Sequence, residues 1–281
     1  MTLIDLALLK ARLAEQAGRF DVDALAECDS TNSELARRAD RGAPAGTVVV
    51  ADRQSAGRGR RGRSWLSEAD SGLTFSVLWR FNGSPARLSG LSLAIGLALA
   101  RALESLGAQG IALKWPNDVL LAQGGEYAKL AGILVELSSD RRGTQAIIGI
   151  GLNLLPPTVE LPQAAAGLSQ ACRQAPERHA VLAAILRELA DTLEIFAAHG
   201  FAGLKAEWQA RHAWQNQAVQ IIGEERVQFT GTCLGADDEG ALLLATANGV
   251  ERIYSGDLSL RPEGSTLGVR PEGSTGGVRC S

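Results

Sequence analysis

Apolar positions recur along this chain in two rhythms, one of three to four residues and one of two. In residues 3–17, Leu3, Leu6, Leu9 and Leu13 fall on one helical face and predict a short amphipathic helix. Asp29 and Ser30 then precede TNSELARRADRG, with Glu34 close behind and Gly42 at the end, which reads as an N-cap, a helix and a glycine stop. Residues 47–51 (TVVVA) are β-branched and apolar, as in a buried strand, and residues 73–81 (LTFSVLWRF) predict a second strand. A long helix follows from about 86 to 106, with Leu88, Leu91, Ile95, Leu99 and Leu103 on its core face. After Gly107, residues 111–115 predict a strand that runs into Pro116, Asn117 and Asp118 and resumes over 119–121. QGGEY (123–127) has hairpin-turn chemistry, and 129–137 predicts the next strand. SSDRRGT is a polar turn before 145–155 (QAIIGIGLNLL), a glycine-punctuated buried strand that Pro156 and Pro157 end. Residues 159–176 predict irregular structure, and 177–198 and 201–212 predict helices. Strands flanked by helices, with hairpins between them, make this an α+β chain with a mixed or antiparallel sheet.

Near Asn216 the pattern changes to short strands at 219–222, 226–235, 241–245 and 250–255, separated by GEER, GADDEG and TANG. That is a small β-barrel-like domain of about fifty residues. Residues 261–269 (RPEGSTLGV) are then repeated as 270–278 (RPEGSTGGV), a Gly-, Pro- and Ser-rich stretch expected to be disordered. The expected division is an N-terminal helix (1–27), a large α+β domain (28–215), a small C-terminal domain (216–261) and a disordered tail (262–281).

Composition narrows the classes. A chain of 281 residues that is 46% hydrophobic can bury a substantial core in one or two domains. No apolar run is expected to approach the ~20 residues that cross a bilayer. Asp5, Lys10 and Arg12 interrupt the N-terminus, so it does not read as a signal peptide. Four cysteines lie far apart without a CxxC pair, and three histidines offer no zinc cluster. A reduced cytoplasm is the expected home.

The stretch richest in chemistry is 52–65, DRQSAGRGRRGRSW, between two predicted strands. Arg53, Arg58, Arg60, Arg61 and Arg63 alternate there with Gly57, Gly59 and Gly62, and Trp65 closes it. Glycine lets the backbone approach a ligand closely, and guanidinium binds phosphate or carboxylate oxygens in pairs. Such a loop could serve as a solvated basic segment or a nucleic-acid contact. The chain as a whole carries 28 basic and 31 acidic residues, net −3, and so lacks the basic face of a general nucleic-acid binder. A small anionic ligand fits better. Four further stretches join the loop: DSTN (29–32) at a helix start, KWPND (114–118) at a strand end, KLAGILVEL (129–137) and GIGLN (149–153).

In this order and spacing, over roughly residues 27–260, the five stretches resemble the biotin protein ligases (biotin–[acetyl-CoA-carboxylase] ligases). The resemblance implies a class II synthetase-like catalytic domain, a mixed β-sheet flanked by helices, followed by a small SH3-like β-barrel. It implies an enzyme with ATP and biotin as substrates and Mg²⁺ as cofactor. Such an enzyme activates biotin as biotinyl-5′-AMP and transfers it to a lysine of a biotin carboxyl carrier protein domain. By resemblance, Ser30, Thr31, Asn32 and Gln54 hold the ureido ring of biotin, and Gly57, Arg58, Gly59, Arg60, Lys129, Gly132 and Ile133 complete its site. Arg60, Arg61, Arg63, Trp65, Lys114, Asn117, Asp118 and Asn153 are implied for ATP, with Asp118 as the Mg²⁺ ligand or orienter. Arg58, Arg60, Lys129 and Asp118 are the implied catalytic groups. Only about 27 residues precede the DSTN helix, too few for a winged helix-turn-helix, so no DNA binding is expected. The expected assembly is a monomer or homodimer away from membranes. The competing readings are a lipoate or octanoyl ligase or transferase of related fold, and a nucleic-acid-binding or regulatory module.

Overall fold

Valine at three consecutive positions puts apolar side chains on both faces of a strand, so that strand must lie between two layers. Strand β2 (Thr47–Gln54) does this: Val48 and Val50 enter the main core, while Val49 joins Leu35, Leu78 and Ile147 on the other face. The computed structural model describes residues 2–66, 68–141, 143–159, 161, 163–223, 226–256 and 258–264.

A seven-stranded sheet runs in the order β1 (Asp21–Cys28), β2, β3 (Gly72–Phe81), β7 (Gly143–Asn153), β6 (Glu126–Asp140), β5 (Asp118–Gln123), β4 (Ile111–Lys114). β1 and β2 are parallel and the other neighbours antiparallel, so the sheet is mixed. One face carries α1 (Leu6–Leu13), α3 (Leu91–Ser105) and α4 (Arg178–His199) over the main core; the other carries α2 (Thr31–Asp40). β5 turns into β6 through Gly124 and Gly125, both at positive φ, as a two-residue hairpin turn requires.

Several elements depart from expectation for identifiable reasons. β1 goes unread in the sequence because it is an edge strand carrying Asp21, Asp23 and Glu27, acids that keep an edge from pairing further. The expected boundary at residue 27 falls inside it. In the N-terminal helix Leu9 and Leu13 are buried but Leu3 and Leu6 are exposed, because α1 spans only eight residues and a 3₁₀ segment follows. Gly90, at φ 79°, breaks the predicted 86–106 helix into a 3₁₀ turn and α3. A second 3₁₀ turn, Phe201–Gly203, likewise precedes the short α5 (Lys205–Ala210). Within Pro85–Ser105 the chain is long and apolar enough, by length and composition alone, to cross a membrane, yet this segment contains α3. It is the central helix of the core: from Leu93 to Leu103 nearly every side chain is buried.

The second sheet is antiparallel, in the order β11 (Gly249–Ile253), β10 (Leu242–Thr246), β9 (Arg226–Ala236), β8 (Ala218–Gly223), β12 (Leu258–Pro262). Four strands meander and the fifth returns beside the first, with register shifts at Ile221/Ile222 and Leu243/Leu244 that bend the strands. Pro262, placed in the tail by sequence, ends β12; the expected disorder of the tail from 265 to 281 lies outside the described residues. The segment leading into this sheet runs along β4, where Leu113 exchanges backbone bonds with Arg211 and Ala213, and the sheet itself meets the KWPND stretch where Trp115 Nε1 donates to Gly240 O at 3.1 Å.

Candidate active site

Two rows of residues across the sheet carry mostly small side chains where a pocket needs room. On the α2 face, Ser76, Gly149 and Leu134 form one row, and Thr74, Gly151 and Gly132 the next. Alternation explains it: Ile148, Ile150 and Leu152 fill the main core, so the intervening glycines point to the other side. A Cβ at Gly149 would lie 2.2 Å from Asn32 Oδ1, and one at Gly151 would lie 2.2 Å from Trp65 Cε2. The GIGLN stretch is therefore the pocket floor.

Over the first row lies the start of α2. Ser30 occupies its N-cap position without a side-chain cap bond. Asp29 instead accepts from Ser30 N at 2.8 Å and from both terminal nitrogens of Arg37, whose hydrogen bonding pulls the Asp29 carboxyl down to about 2. Asn32 Nδ2 lies 2.8 Å from Glu136 Oε2 and 3.4 Å from Leu134 O, two acceptors that fix which end of the amide is nitrogen. Ser76 Oγ is 2.6 Å from Asn32 Oδ1 and 2.7 Å from Thr31 Oγ1. An amide oxygen only accepts, so the Ser76 proton goes to Asn32. Thr31 then directs its own proton to Ser76 or to Gln54 Oε1, 3.3 Å away. Gln54 Oε1 also accepts from Thr31 N at 2.8 Å. This end of the pocket thus offers lone pairs from Asn32 and Thr31, with the Gln54 amide nitrogen beside them.

The other end is cationic. Lys129 Nζ lies 2.6 Å from Asp118 Oδ1, and Lys114 Nζ lies 3.6 Å from Asp118 Oδ2. Lys114 and Asp118 side chains are 7% and 11% exposed. Burial pulls the Lys114 pKa below that of an ordinary lysine, against the attraction of Asp118. Burial opposes ionisation of Asp118, but Lys129 and Lys114 outweigh it and hold the carboxyl below the usual carboxylate range. Lys129 also sits 5.6 Å from the Trp65 ring centroid.

The arginine loop closes the pocket. Arg58 donates to Ser33 Oγ at 3.1 Å and pairs with Glu136. Arg60 donates to Asn117 Oδ1 at 2.9 Å and to the carbonyls of Ser255 and Gly256, each at 2.7 Å, in the second sheet's loop. With Trp65 on the glycine floor, the remaining volume is about 60 Å³, room for a few waters only.

Residues 25–153 match the Biotin/lipoate A/B protein ligase family, and residues 216–261 match the Biotin protein ligase C terminal domain. The chain is 34% identical over 247 residues to the biotin–[acetyl-CoA-carboxylase] ligase of Mycobacterium tuberculosis, covering 86% of this chain and 90% of that one. The chain belongs to the biotin protein ligase family. It is also 37% identical over 237 residues to the bifunctional ligase/repressor BirA of Escherichia coli K12, across 83% of this chain and 72% of that protein. The solved biotin protein ligase of Aquifex aeolicus in complex with biotin and ATP superposes with a TM-score of 0.73 at 33% identity. That match covers 86% of this chain and 99% of the other. The α+β architecture with its small C-terminal domain is the family's.

Of the residues singled out from sequence, Ser30, Thr31, Asn32, Gln54, Arg58, Gly59, Arg60, Trp65, Asn117, Lys129, Gly132 and Ile133 border the pocket. Ile133 does so while its side chain packs in the main core. Gly57 stands behind the loop, where a Cβ would meet Trp65 O at 2.3 Å. Arg61 and Arg63 are exposed, Arg61 at φ 62°. Asn153 donates to Ala166 O at 3.1 Å, which holds the 164–166 segment beside Lys129. Lys114 and Asp118 form a layer behind Lys129. A Mg²⁺ on Asp118 does not fit this arrangement, since two ammoniums already meet its two oxygens. Among the described residues no group of three His, Cys, Asp or Glu side chains comes together either. Sequence reasoning missed Thr74, Ser76, Leu134, Glu136, Gly149 and Gly151, although the strict alternation of GIGL was the available indication for the two glycines.

Proposed function

We propose that this protein activates biotin with ATP as biotinyl-5′-AMP and transfers the biotinyl group to a lysine of a biotin carboxyl carrier domain. The observation that carries the reading is the polarity of the pocket. At one end Asn32 and Thr31 present acceptors and Gln54 a donor, a match for the N–H groups and carbonyl of a ureido ring. At the other end Lys129 and Arg60 stand where a carboxylate and the α-phosphate would meet, while Arg58 borders the pocket beside Glu136.

Joining two anions is slow in water because they repel. Fixed cations remove that repulsion and hold the carboxylate oxygen in line with phosphorus. Asp118 keeps Lys129 aimed, and Lys114 keeps Asp118 ionised. Arg60, Asn117 and Trp65 then border the nucleotide, with the indole seated on Gly132 and Gly151. In the second step the carrier lysine attacks the mixed anhydride and AMP departs. Support for biotin over lipoate comes from the acceptor-lined end: a dithiolane ring has no N–H to give, so the remaining lone pairs of Asn32 and Thr31 would find no donor in it.

Pyrophosphate release from ATP, measured with biotin and with lipoate, tests this, followed by transfer of labelled biotin to a carrier domain. Biotin-dependent release and carrier labelling are expected. Lipoate-dependent release, or none with biotin, would refute the reading.

A further inference from the structure

Resting on the biotin reading, we infer that Glu136 is a positioning residue that locks the ureido end of the pocket and ties it to the arginine loop. Glu136 lies on β6 two residues beyond Leu134, on the pocket face of the strand. One carboxylate oxygen accepts from Asn32 Nδ2 at 2.8 Å, and the other pairs with the Arg58 guanidinium, which also donates to Ser33 Oγ. Asn32 lies in the first turn of α2 and Arg58 belongs to the loop, so a single carboxylate joins the two walls.

The first bond matters because an amide can flip. Toward the pocket, Asn32 is useful only with its oxygen facing the ligand, and Ser76 and Leu134 alone specify that orientation weakly: the Leu134 contact is long, at 3.4 Å. A carboxylate accepts and never donates, so Glu136 forbids the flipped amide. The second bond gives Arg58 an anionic partner before any ligand arrives. The guanidinium is thereby held at the pocket mouth instead of in solvent. Ordering the loop therefore costs less entropy when the ligand binds.

Glu136→Gln tests this, because glutamine keeps the shape, loses the charge and lets either amide end face Asn32. Losing one charge-assisted bond to a positioned group predicts a KM for biotin raised about tenfold. The KM for ATP and kcat should stay within about twofold, with the melting temperature unchanged. A biotin analogue whose ring nitrogen facing Asn32 carries no hydrogen should be rejected less strongly by the variant than by the wild type. Glu136→Asp should recover part of the lost affinity. Equal losses for biotin and ATP, or undiminished rejection of the analogue, would reduce Glu136 to a structural residue and overturn the inference. Wild-type affinity in Glu136→Gln would overturn it as well. If the wild-type protein itself shows no biotin-dependent pyrophosphate release, the functional reading falls and this one with it.

Discussion

Gly132 and Gly151 face each other across β6 and β7, and the indole of Trp65 lies on the bed they form. A Cβ at Gly151 would lie 2.2 Å from Trp65 Cε2 and 2.5 Å from its Nε1; one at Gly132 would lie 3.1 Å from Cζ3. The residue that closes the arginine loop is thus seated by the absence of two side chains on strands far away in sequence.

Gly151→Ala should therefore unseat Trp65 without unfolding the sheet, since φ at this position is ordinary strand. Misplacing a ligand-bordering ring by about 1 Å predicts a loss in pyrophosphate release on the order of a hundredfold. Tryptophan fluorescence should shift to the red as the indole moves into water. A variant with unchanged activity and unchanged emission would show that Trp65 is not held by this contact.

Lys129, assigned to the reacting centre in the proposed function, is also tied to stability. Removing it leaves Asp118 buried with Lys114 as its one remaining cation, at 3.6 Å. Breaking one arm of a buried ion pair costs about 3–5 kcal/mol where no second partner remains, and less here. Lys129→Ala should abolish adenylate formation and lower the melting temperature by several degrees. Lys129→Ala combined with Asp118→Asn should regain stability without regaining activity. Activity of the double variant above that of Lys129→Ala would remove Lys129 from the reacting centre.

Much of this site was legible because its chemistry lies in short, contiguous stretches. DSTN, the arginine loop and KWPND each sit at an element's end, where sequence spacing and spatial proximity coincide, and KLAG is a contiguous stretch of β6. What escaped depends on register. Glu136, Ser76 and Gly149 become neighbours of Asn32 only when β3, β7 and β6 are paired, and a strand's own pattern does not say which residue its neighbour presents. β1 escaped for another reason: its acids protect an edge and mask the alternation that marks a strand. Asp118 is a buried ion-pair member: KWPND itself sets Lys114 four residues before it, but nothing there foretold that Lys129 would meet its other oxygen.

Arg60 links the loop to the second sheet through the carbonyls of Ser255 and Gly256. The expected consequence of Arg60→Gly is a loop less tightly held even without ligand, cleaved faster between residues 58 and 66 in limited proteolysis. In the proposed reaction the loop would shield the mixed anhydride from water as a lid, so the variant should also release biotinyl-5′-AMP sooner than the wild type. Bystander lysines, on albumin for example, would then become labelled. If adenylate synthesis collapses and no bystander is labelled, Arg60 serves the chemical step and the lid role is wrong.

Stability toward acid should depend on His212. Its ring is buried at the junction with the second sheet, stacked on Trp208 with centroids 4.7 Å apart, and its Nδ1 lies 3.8 Å from Cys233 Sγ. Nε2 has no hydrogen-bond partner, so a proton there would be buried without an acceptor. Burial accordingly pushes the His212 pKa down to about 4, from an ordinary 6.5. Between those values the unfolded chain binds a proton that the folded one refuses, so stability falls as pH drops from about 6.5 toward 4 and is unaffected by this group above 6.5. The linkage predicts a loss of about 2 kcal/mol by pH 5 from this residue alone. His212→Phe keeps an aromatic ring against Trp208 and removes the titration. Urea unfolding at pH 7 and pH 5 should show a smaller drop for the variant than for the wild type by about that amount. Equal drops in the two proteins would mean that His212 is protonated, or reached by water, in the folded state.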